Sequence, residues 1–259
     1  MILFLIYILS FFEFLEIKNN SENNADLIIK VAKSQLGTPY VGGTLDTGLT
    51  EKCVVNYEGL DCVTFVENTL AISKSLLNSE INENNFEENI INNITNTRYR
   101  NGLINGYLSR LHYTGDWILD NIKKNNITEI TQKIGGIKLD NNINFMSTHT
   151  EYYMQLKENP DLINGIKRVE NYLNKSNLYY IPKEKINKKG INSGDIICIA
   201  TNIKGLDYSH LGFALIEDNK LKLIHASSNK KKVVIEDDLK AYLISVKNHK
   251  GITVLRPNL

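Results

Sequence analysis

Four short apolar runs, "SGDIICIAT", "HLGFALIED", "KLKLIHASS" and "KKVVIED", follow one another near the C-terminal end of the chain with turn residues between them. Runs of this length bounded by turn signals read as strands. The "EDNK" between the second and third reads as a tight hairpin, and a short helix near 237–244 and a final strand "GITVLR" close the chain. Upstream the periodicity is helical. Asn24 is placed to cap a helix over 25–36, with Leu27, Ile28, Val31 and Leu36 on its inner side and Gly37 as its stop. A second helix runs from Cys62 to about Asn78, a third carries Phe86, Ile90, Ile91 and Ile94, and Asn159-Pro160 opens a fourth that reaches about Leu173. Helices first and an antiparallel sheet afterwards is an α+β arrangement.

With 259 residues the chain can bury a sizeable core, as one large domain or two small ones. Lys plus Arg number 30 against 29 Asp plus Glu, so no global field draws the protein to nucleic acid. The basic clusters at Lys230–Lys232 and at Lys183, Lys185, Lys188 and Lys189 stand in turn-like contexts and read as solvated loops. Three cysteines, Cys53, Cys62 and Cys198, cannot form a dense disulfide framework, and none stands in a C-x-x-C pair, so a structural zinc site is not expected. The start, "MILFLIYILSFFEFLEIKNN", is apolar over the length of a signal-peptide core, but it lacks a basic start and an A-x-A-like cleavage site, and Glu13 interrupts it. Residues 1–24 read as an atypical export signal or anchor, with an amphipathic first helix of the fold as the alternative. The former implies an exported, periplasmic or cell-envelope protein whose only membrane contact is this segment.

The stretch "EGLDCVTFVE" brings a cysteine to a loop-to-helix junction. Gly42, Gly43, Gly48 and Gly59 precede it, and Val63, Phe65, Val66, Leu70, Ile72 and Leu76 follow at helical spacing. Asp61 is then the N-cap and Cys62 the first helical residue. Unpaired N–H groups and the positive end of the helix dipole favour thiolate there. A small buried residue that happens to start a helix is the plain alternative. A thiol nucleophile needs a base. His210 starts one predicted strand and His225 ends the next, so the hairpin near Asp218 brings them together. Cys62 as nucleophile, His210 as base and His225 as the group that orients it satisfy a cysteine hydrolase.

The middle third changes texture. "TRYRNGLINGYLSRLHYTGDWILDNI" gathers Arg98, Tyr99, Arg100, Tyr107, Arg110, His112, Tyr113 and the single Trp117. Arg and aromatic side chains mixed with Gly suit a pocket for a polar, carbonyl-rich or sugar-bearing ligand. They suit equally an ordinary helical layer with Trp117, Ile118 and Ile122 inward and the arginines in solvent.

The segments "DCVTFVE", "SGDIICIATNIKGLDYSHLGFAL" and "LIHASS" resemble the core motifs of the NlpC/P60 cysteine-peptidase superfamily. More narrowly, "GTPYVGGTLD", "RYRNG", "YLSRLHYTGDWILDN", "NFMSTH" and "YYIPK" resemble the branch once catalogued as domain of unknown function 1460, an N-acetylmuramoyl-L-alanine amidase-like group. The resemblance runs from about residue 25 to the C-terminus. It implies one papain-like domain over 25–259: a nucleophile helix packed on a C-terminal antiparallel sheet or half-barrel, with a helical, substrate-reading insertion at about 80–180. It implies Cys62, His210 and His225 as the catalytic residues and no cofactor or metal. Tyr40 falls where it can hold substrate or oxyanion, and Asp61 either caps the helix or meets the substrate amine. Arg100 and Arg110 are implied for stem-peptide carboxylates, and Tyr113 and Trp117 for sugar rings or the aliphatic stem. Val63-Thr64 stands where the superfamily often has Ser-Gly, a departure that argues against a simple transfer of the usual endopeptidase specificity. The implied function is a bacterial cell-wall hydrolase, monomeric, acting on peptidoglycan fragments and cutting between the N-acetylmuramoyl lactyl group and L-Ala. The alternatives are a cut within the stem, between D-Glu and the diamino acid, and a peptidoglycan-binding module without catalysis.

Overall fold

The computed structural model describes residues 2–140 and 142–259, with side chains from residue 11 onward. Its helices are α1 (Ile2–Asn19), α2 (Asn24–Ser34), α3 (Cys62–Leu77), α4 (Phe86–Arg98), α5 (Thr114–Lys123), α6 (Phe145–Thr148), α7 (Met154–Glu158), α8 (Leu162–Lys175) and α9 (Leu239–Ser245). Its strands are β1 (Ile127–Glu129), β2 (Ile137–Lys138), β3 (Tyr179–Pro182), β4 (Ile196–Thr201), β5 (Tyr208–Glu217), β6 (Lys220–Ser227), β7 (Lys232–Glu236) and β8 (His249–Pro257). They form one antiparallel sheet in the order β2-β3-β8-β4-β5-β6-β7, and β1 continues along β8 beyond β3.

The α+β reading holds, and the C-terminal strands fall where the apolar runs stand. β4 is buried along its whole length, so Ile196, Ile197, Cys198 and Ile199 read as a continuous run instead of an alternating one. The β5–β6 hairpin turns at Asp218 and Asn219, both with positive φ (51° and 61°), the geometry a two-residue turn needs to match strand twist. β1, β2 and β3 lie in the stretch that reads as helical. They are two to four residues long, too short to carry a period, and are held by pairing with distant partners. Asn23, not Asn24, caps α2: its side chain accepts from the Asp26 N–H at 3.0 Å. The helix stops at Ser34, leaving Leu36 exposed instead of inward.

One face of the sheet packs on α3. Phe65 and Phe213 meet edge to face at 5.8 Å, within a cluster that also holds Ile28, Trp117, Ile118, Ile127 and Leu139. The middle of the chain therefore shares the core with both ends. On the opposite face, Ile197, Ile199, Ala214 and Leu223 meet Leu239 and Leu243 of α9. Burying each such aliphatic or aromatic side chain contributes about 1.5–3 kcal/mol, and Phe65→Ala would cost about 3–5 kcal/mol because a cavity is added.

On its outer side α3 is covered by α2, α4 and the second half of α1, where Phe11 is buried and meets Phe86 at 5.1 Å. The apolar run at 1–10, the core of the export-signal reading, lies outside the described side chains; residues 11–17 pack as part of the fold. Among the described residues no helix is long and apolar enough to cross a membrane.

Candidate active site

Asp61 and Thr64 form a reciprocal cap on α3. The Thr64 N–H donates to Asp61 Oδ1 at 2.8 Å, and the Asp61 N–H donates to Thr64 Oγ1 at 2.9 Å. Thr64 is thus a structural consequence of the Val63-Thr64 departure: it supplies the second half of the box. With Thr64 capped, the N–H groups of Cys62 and Val63 are left over from the first turn and, with the Leu211 N–H from β5, lie near enough to the Cys62 sulfur to favour its thiolate. The thiol therefore sits in a three-amide cradle against the residue that follows His210. Tyr40 bridges to Leu60 and faces Cys62 and Asp61. Burial, reinforced by those two groups, pushes its phenol up to about 12, so it is a neutral donor at pH 7.

His210 and His225 come together as the hairpin reading expects. Their rings are perpendicular, and His210 Nε2 lies 2.5 Å from His225 Nδ1. Phe213 pairs with Ile224, so Gly212 stands opposite His225 and the two histidines lean diagonally. A Cβ on Gly212 would sit 2.9 Å from the His225 Cβ and 2.5 Å from the Ile224 oxygen, so only glycine leaves room. The far nitrogen of His225 meets Glu236 Oε1 at 3.3 Å, and Glu236 Oε2 accepts from Lys230 Nζ at 2.8 Å. Glu236 was not singled out from the sequence. The usable signal is a carboxylate in "VVIED" two positions from Val234, the residue opposite His225, and hence on the same face of the sheet.

The charge state differs from the one the helix start suggests. Burial, with the Asp61 carboxylate adding to it, pushes the Cys62 thiol up to about 12; the three backbone donors act in the expected direction and are outweighed. Burial, with His225 and His249 nearby, holds His210 down at about 3. Both shifts favour neutral thiol and neutral imidazole in the free protein over a standing thiolate and imidazolium.

The middle segment divides. Trp117 is buried, and its Nε1 donates to Glu67 Oε1 at 3.2 Å. Tyr113 is buried, donates to Glu170 at 2.8 Å and accepts from the Met146 N–H at 2.8 Å. Arg100 forms a two-bond fork with Asp116 at 2.9 and 2.5 Å. All three side chains have partners inside the protein. Tyr113 and Arg100 have their polar groups committed inside the protein, and Trp117, although one edge reaches a cleft, is a core side chain. Arg110 differs. It pairs with Asp46 at 2.5 Å and lies over the Tyr107 ring at 5.2 Å, while its buried Nε forms an ion pair with the Glu51 carboxylate at 3.4 Å, without a hydrogen bond.

Arg110 lines a cleft of about 570 Å³ that starts beside Cys62 at Asp61, Val63 and Leu211 and runs past Leu111 and His112 to Glu67 and Arg98. Arg98 is bound to Glu67 at 2.7 Å and to the Val54 carbonyl at 2.5 Å, yet its buried Nη2 is unpartnered. Burial and Arg110 hold His112 at about 3. Its Nε2 must donate to the Tyr107 carbonyl, 2.9 Å away, so Nδ1 is a bare acceptor. All three cysteines are free, and among the described residues no group of three His, Cys, Asp or Glu side chains is arranged to hold a metal ion.

A family model for AmiA-like, N-acetylmuramoyl-L-alanine amidase-like proteins matches residues 30–252. No curated protein matches. A crystal structure of an N-acetylmuramoyl-L-alanine amidase from Bacteroides uniformis ATCC 8492 is 36% identical, with a TM-score of 0.83 over 91% of this chain and 99% of that one. A Bacteroides fragilis structure described as a candidate xylanase is also 36% identical, with a TM-score of 0.81 over 87% of this chain and 99% of that one. A protein of Legionella pneumophila str. Philadelphia 1, assigned to domain of unknown function 1460, is 26% identical, with a TM-score of 0.73 over 97% and 94%. The chain belongs to the AmiA-like family of N-acetylmuramoyl-L-alanine amidase-like proteins.

Proposed function

We propose that the protein is a cysteine-dependent hydrolase of the NlpC/P60, papain-like type that cleaves the amide between the N-acetylmuramoyl lactyl group and L-Ala of peptidoglycan fragments. The observation that carries this is the convergence of the Cys62, Val63 and Leu211 amides on the thiol of a capped helix start, with His210 adjacent in chain to one of them. The same amides suit the oxygen of a tetrahedral intermediate. As the thiol attacks the lactyl carbonyl, its proton passes to His210. The imidazolium then protonates the departing L-Ala nitrogen, leaving a muramoyl thioester. Water, deprotonated by His210, attacks that thioester and restores the thiol, giving a muramoyl carboxylate and a free stem peptide. Because the pair is neutral at rest, the proton moves during attack and no standing thiolate is required.

The cleft beside Cys62 gives the stem peptide a place to lie, with Val63, Leu111 and Leu211 for the alanine methyl, the spare Arg98 Nη2 for an acceptor oxygen further along, and the Arg110 guanidinium in its wall. A glycosidase reading finds less support. That chemistry needs two carboxyl groups flanking the bond, whereas Glu67 is bound to Arg98 and Trp117 and Asp61 Oδ1 is held by the helix cap. Export to the cell envelope is part of the proposal, with the N-terminal helix kept because Phe11 fills the core.

Digestion of defined muropeptides followed by mass spectrometry tests the function. A sugar bearing a free lactyl carboxylate supports it; a product retaining L-Ala-D-Glu on the sugar would replace it with the stem endopeptidase. Failure of Cys62 to react with a thiol probe, together with no product at all, would leave only a binding module.

A further inference from the structure

Behind the reacting pair stands a line of polar groups that fixes where protons can sit. His225 lies on β6 and Glu236 on β7, offset by two residues from direct pairing: Val234 is opposite His225, and Glu236 is opposite Leu223. Paired residues share a face, and so do residues two apart along a strand, so His210, Gly212, His225 and Glu236 all lie on the face that also carries Leu223. The contacts run from His210 Nε2 to His225 Nδ1 at 2.5 Å, from His225 Nε2 to Glu236 Oε1 at 3.3 Å, and from Glu236 Oε2 to Lys230 Nζ at 2.8 Å.

The donor and acceptor roles follow from the end of the line inward. Lys230 can only donate. An ionised carboxylate can only accept. Burial pushes Glu236 towards its neutral form, but Lys230 and His225 together outweigh it and hold the carboxyl below its ordinary value. His225 must then carry its proton on Nε2. Burial keeps His225 neutral, which leaves Nδ1 bare to accept. The His210 proton is therefore on Nε2, and His210 Nδ1 is the free base. The other groups around His225 impose no competing pattern. The Tyr242 ring lies 5.1 Å away on α9, His249 of β8 lies 5.4 Å beyond that ring, and Lys183 lies next to His249.

We propose that Glu236, held by Lys230, is a positioning residue of the reaction: through His225 it sets the tautomer of His210, so that the unprotonated Nδ1 is the atom available to the Cys62 thiol. This rests on the reading of Cys62 and His210 as the reacting pair. No proton reaches Glu236. Its fixed negative charge, one imidazole away, also favours the imidazolium that forms on His210 during attack.

The test is nitrogen NMR of the imidazoles in the full chain at neutral pH, joined to kinetics on a muropeptide. In the wild-type protein both His210 and His225 are expected to carry the proton on Nε2. In Glu236→Ala, His225 should gain an Nδ1-protonated population, and kcat should fall ~10-fold or more while KM stays within about twofold. Glu236→Gln keeps an acceptor without the charge, so it should retain both tautomers with a smaller loss of kcat. A wild-type His210 protonated on Nδ1 would overturn the proposal, and so would a Glu236→Ala protein with wild-type tautomers and kcat. Should Glu236→Ala not fold, the wild-type spectrum and Glu236→Gln decide. The spectrum needs no substrate, so it stands or fails independently of which amide the protein cleaves.

Discussion

Two regions carry chains of hydrogen-bonded polar side chains, one running from the interior out to the half-exposed Lys230 and one sealed in the core, and use them differently. On the sheet, His210, His225, Glu236 and Lys230 form an open line that ends in a ring nitrogen with a free lone pair. Behind α3, Arg98, Glu67 and Trp117 form a nearly closed cluster whose members satisfy one another. The difference lies in what remains unpaired. A line that terminates in an acceptor can exchange a proton with a reacting group. A cluster that returns its donors to its own carboxylate mainly fixes the distance between α3 and α4, and offers a ligand only what is left over, here Arg98 Nη2.

The largest expected effects separate these roles. Cys62→Ala and His210→Ala should each lower amide cleavage by about 10³-fold or more while leaving thermal unfolding close to wild type. Arg98→Ala should do the reverse in stability, costing about 3–5 kcal/mol by urea denaturation, because it strands the Glu67 carboxylate in the core. An Arg98→Ala protein as stable as the parent would erase the contrast between the regions.

The approach of His210 to His225 and the place of Cys62 at a helix start were legible because these positions follow from local rules. A cap at Asp61 makes Cys62 the first helical residue, and a two-residue hairpin at Asp218 and Asn219 fixes which end of β6 faces the start of β5. Glu236 was not visible because it joins through a third strand, whose register depends on a turn that carries no strong signal. The middle segment was hardest to read. Arg98 finds Glu67 31 residues away, Tyr113 finds Glu170 57 residues away, and Trp117 finds Glu67 50 residues away. An arginine beside an aromatic has the same sequence texture whether its partner is a ligand or a distant carboxylate. The thiol's charge state was misread for a related reason: helix-end electrostatics are local, whereas burial is set by the whole fold.

A smaller effect should appear on acidification. His112 and His210 are held at about 3 and His249 at about 4, each chiefly by burial, below the ordinary value of 6.5. From 6.5 downward the unfolded chain takes up protons that the native state refuses, so stability should fall as pH drops through that window and show no contribution from these groups above it. Asp207, buried and raised to about 6, opposes them by gaining a proton in the native state first between 6 and its ordinary 3.8. His225 is lowered as well, while Glu51, Glu67 and Glu87 are raised alongside Asp207; the histidine windows open at 6.5 and reach furthest, so the fall is dominant. Calorimetry between pH 7 and 4 should show a declining Tm, less steep in His249→Asn; a Tm that rises towards pH 4 would contradict the assignment of neutral buried imidazoles.

The finest distinction lies within the middle segment, between two arginines of equal sequence promise. Arg110 lines the cleft while paired to Asp46 and, through Nε at 3.4 Å, to Glu51, whereas Arg100 has both terminal nitrogens on Asp116 and does not line it. Arg110→Lys keeps a cation near Asp46 but loses the planar donor, and should lower kcat/KM on a full stem peptide by roughly 1.5–3 kcal/mol of charge-assisted bonding. Arg100→Ala should leave kcat/KM within about twofold and cost about 1–3 kcal/mol of stability, since the buried Asp116 loses its fork. The comparison turns on substrate length. If Arg110 meets acceptor oxygens along the stem, its effect should shrink when the stem is cut back to a single alanine, and the Arg100 variant should be indifferent to that change. Equal losses for both variants on both substrates would mean that neither arginine reads the stem and that the cleft's spare donors serve only water.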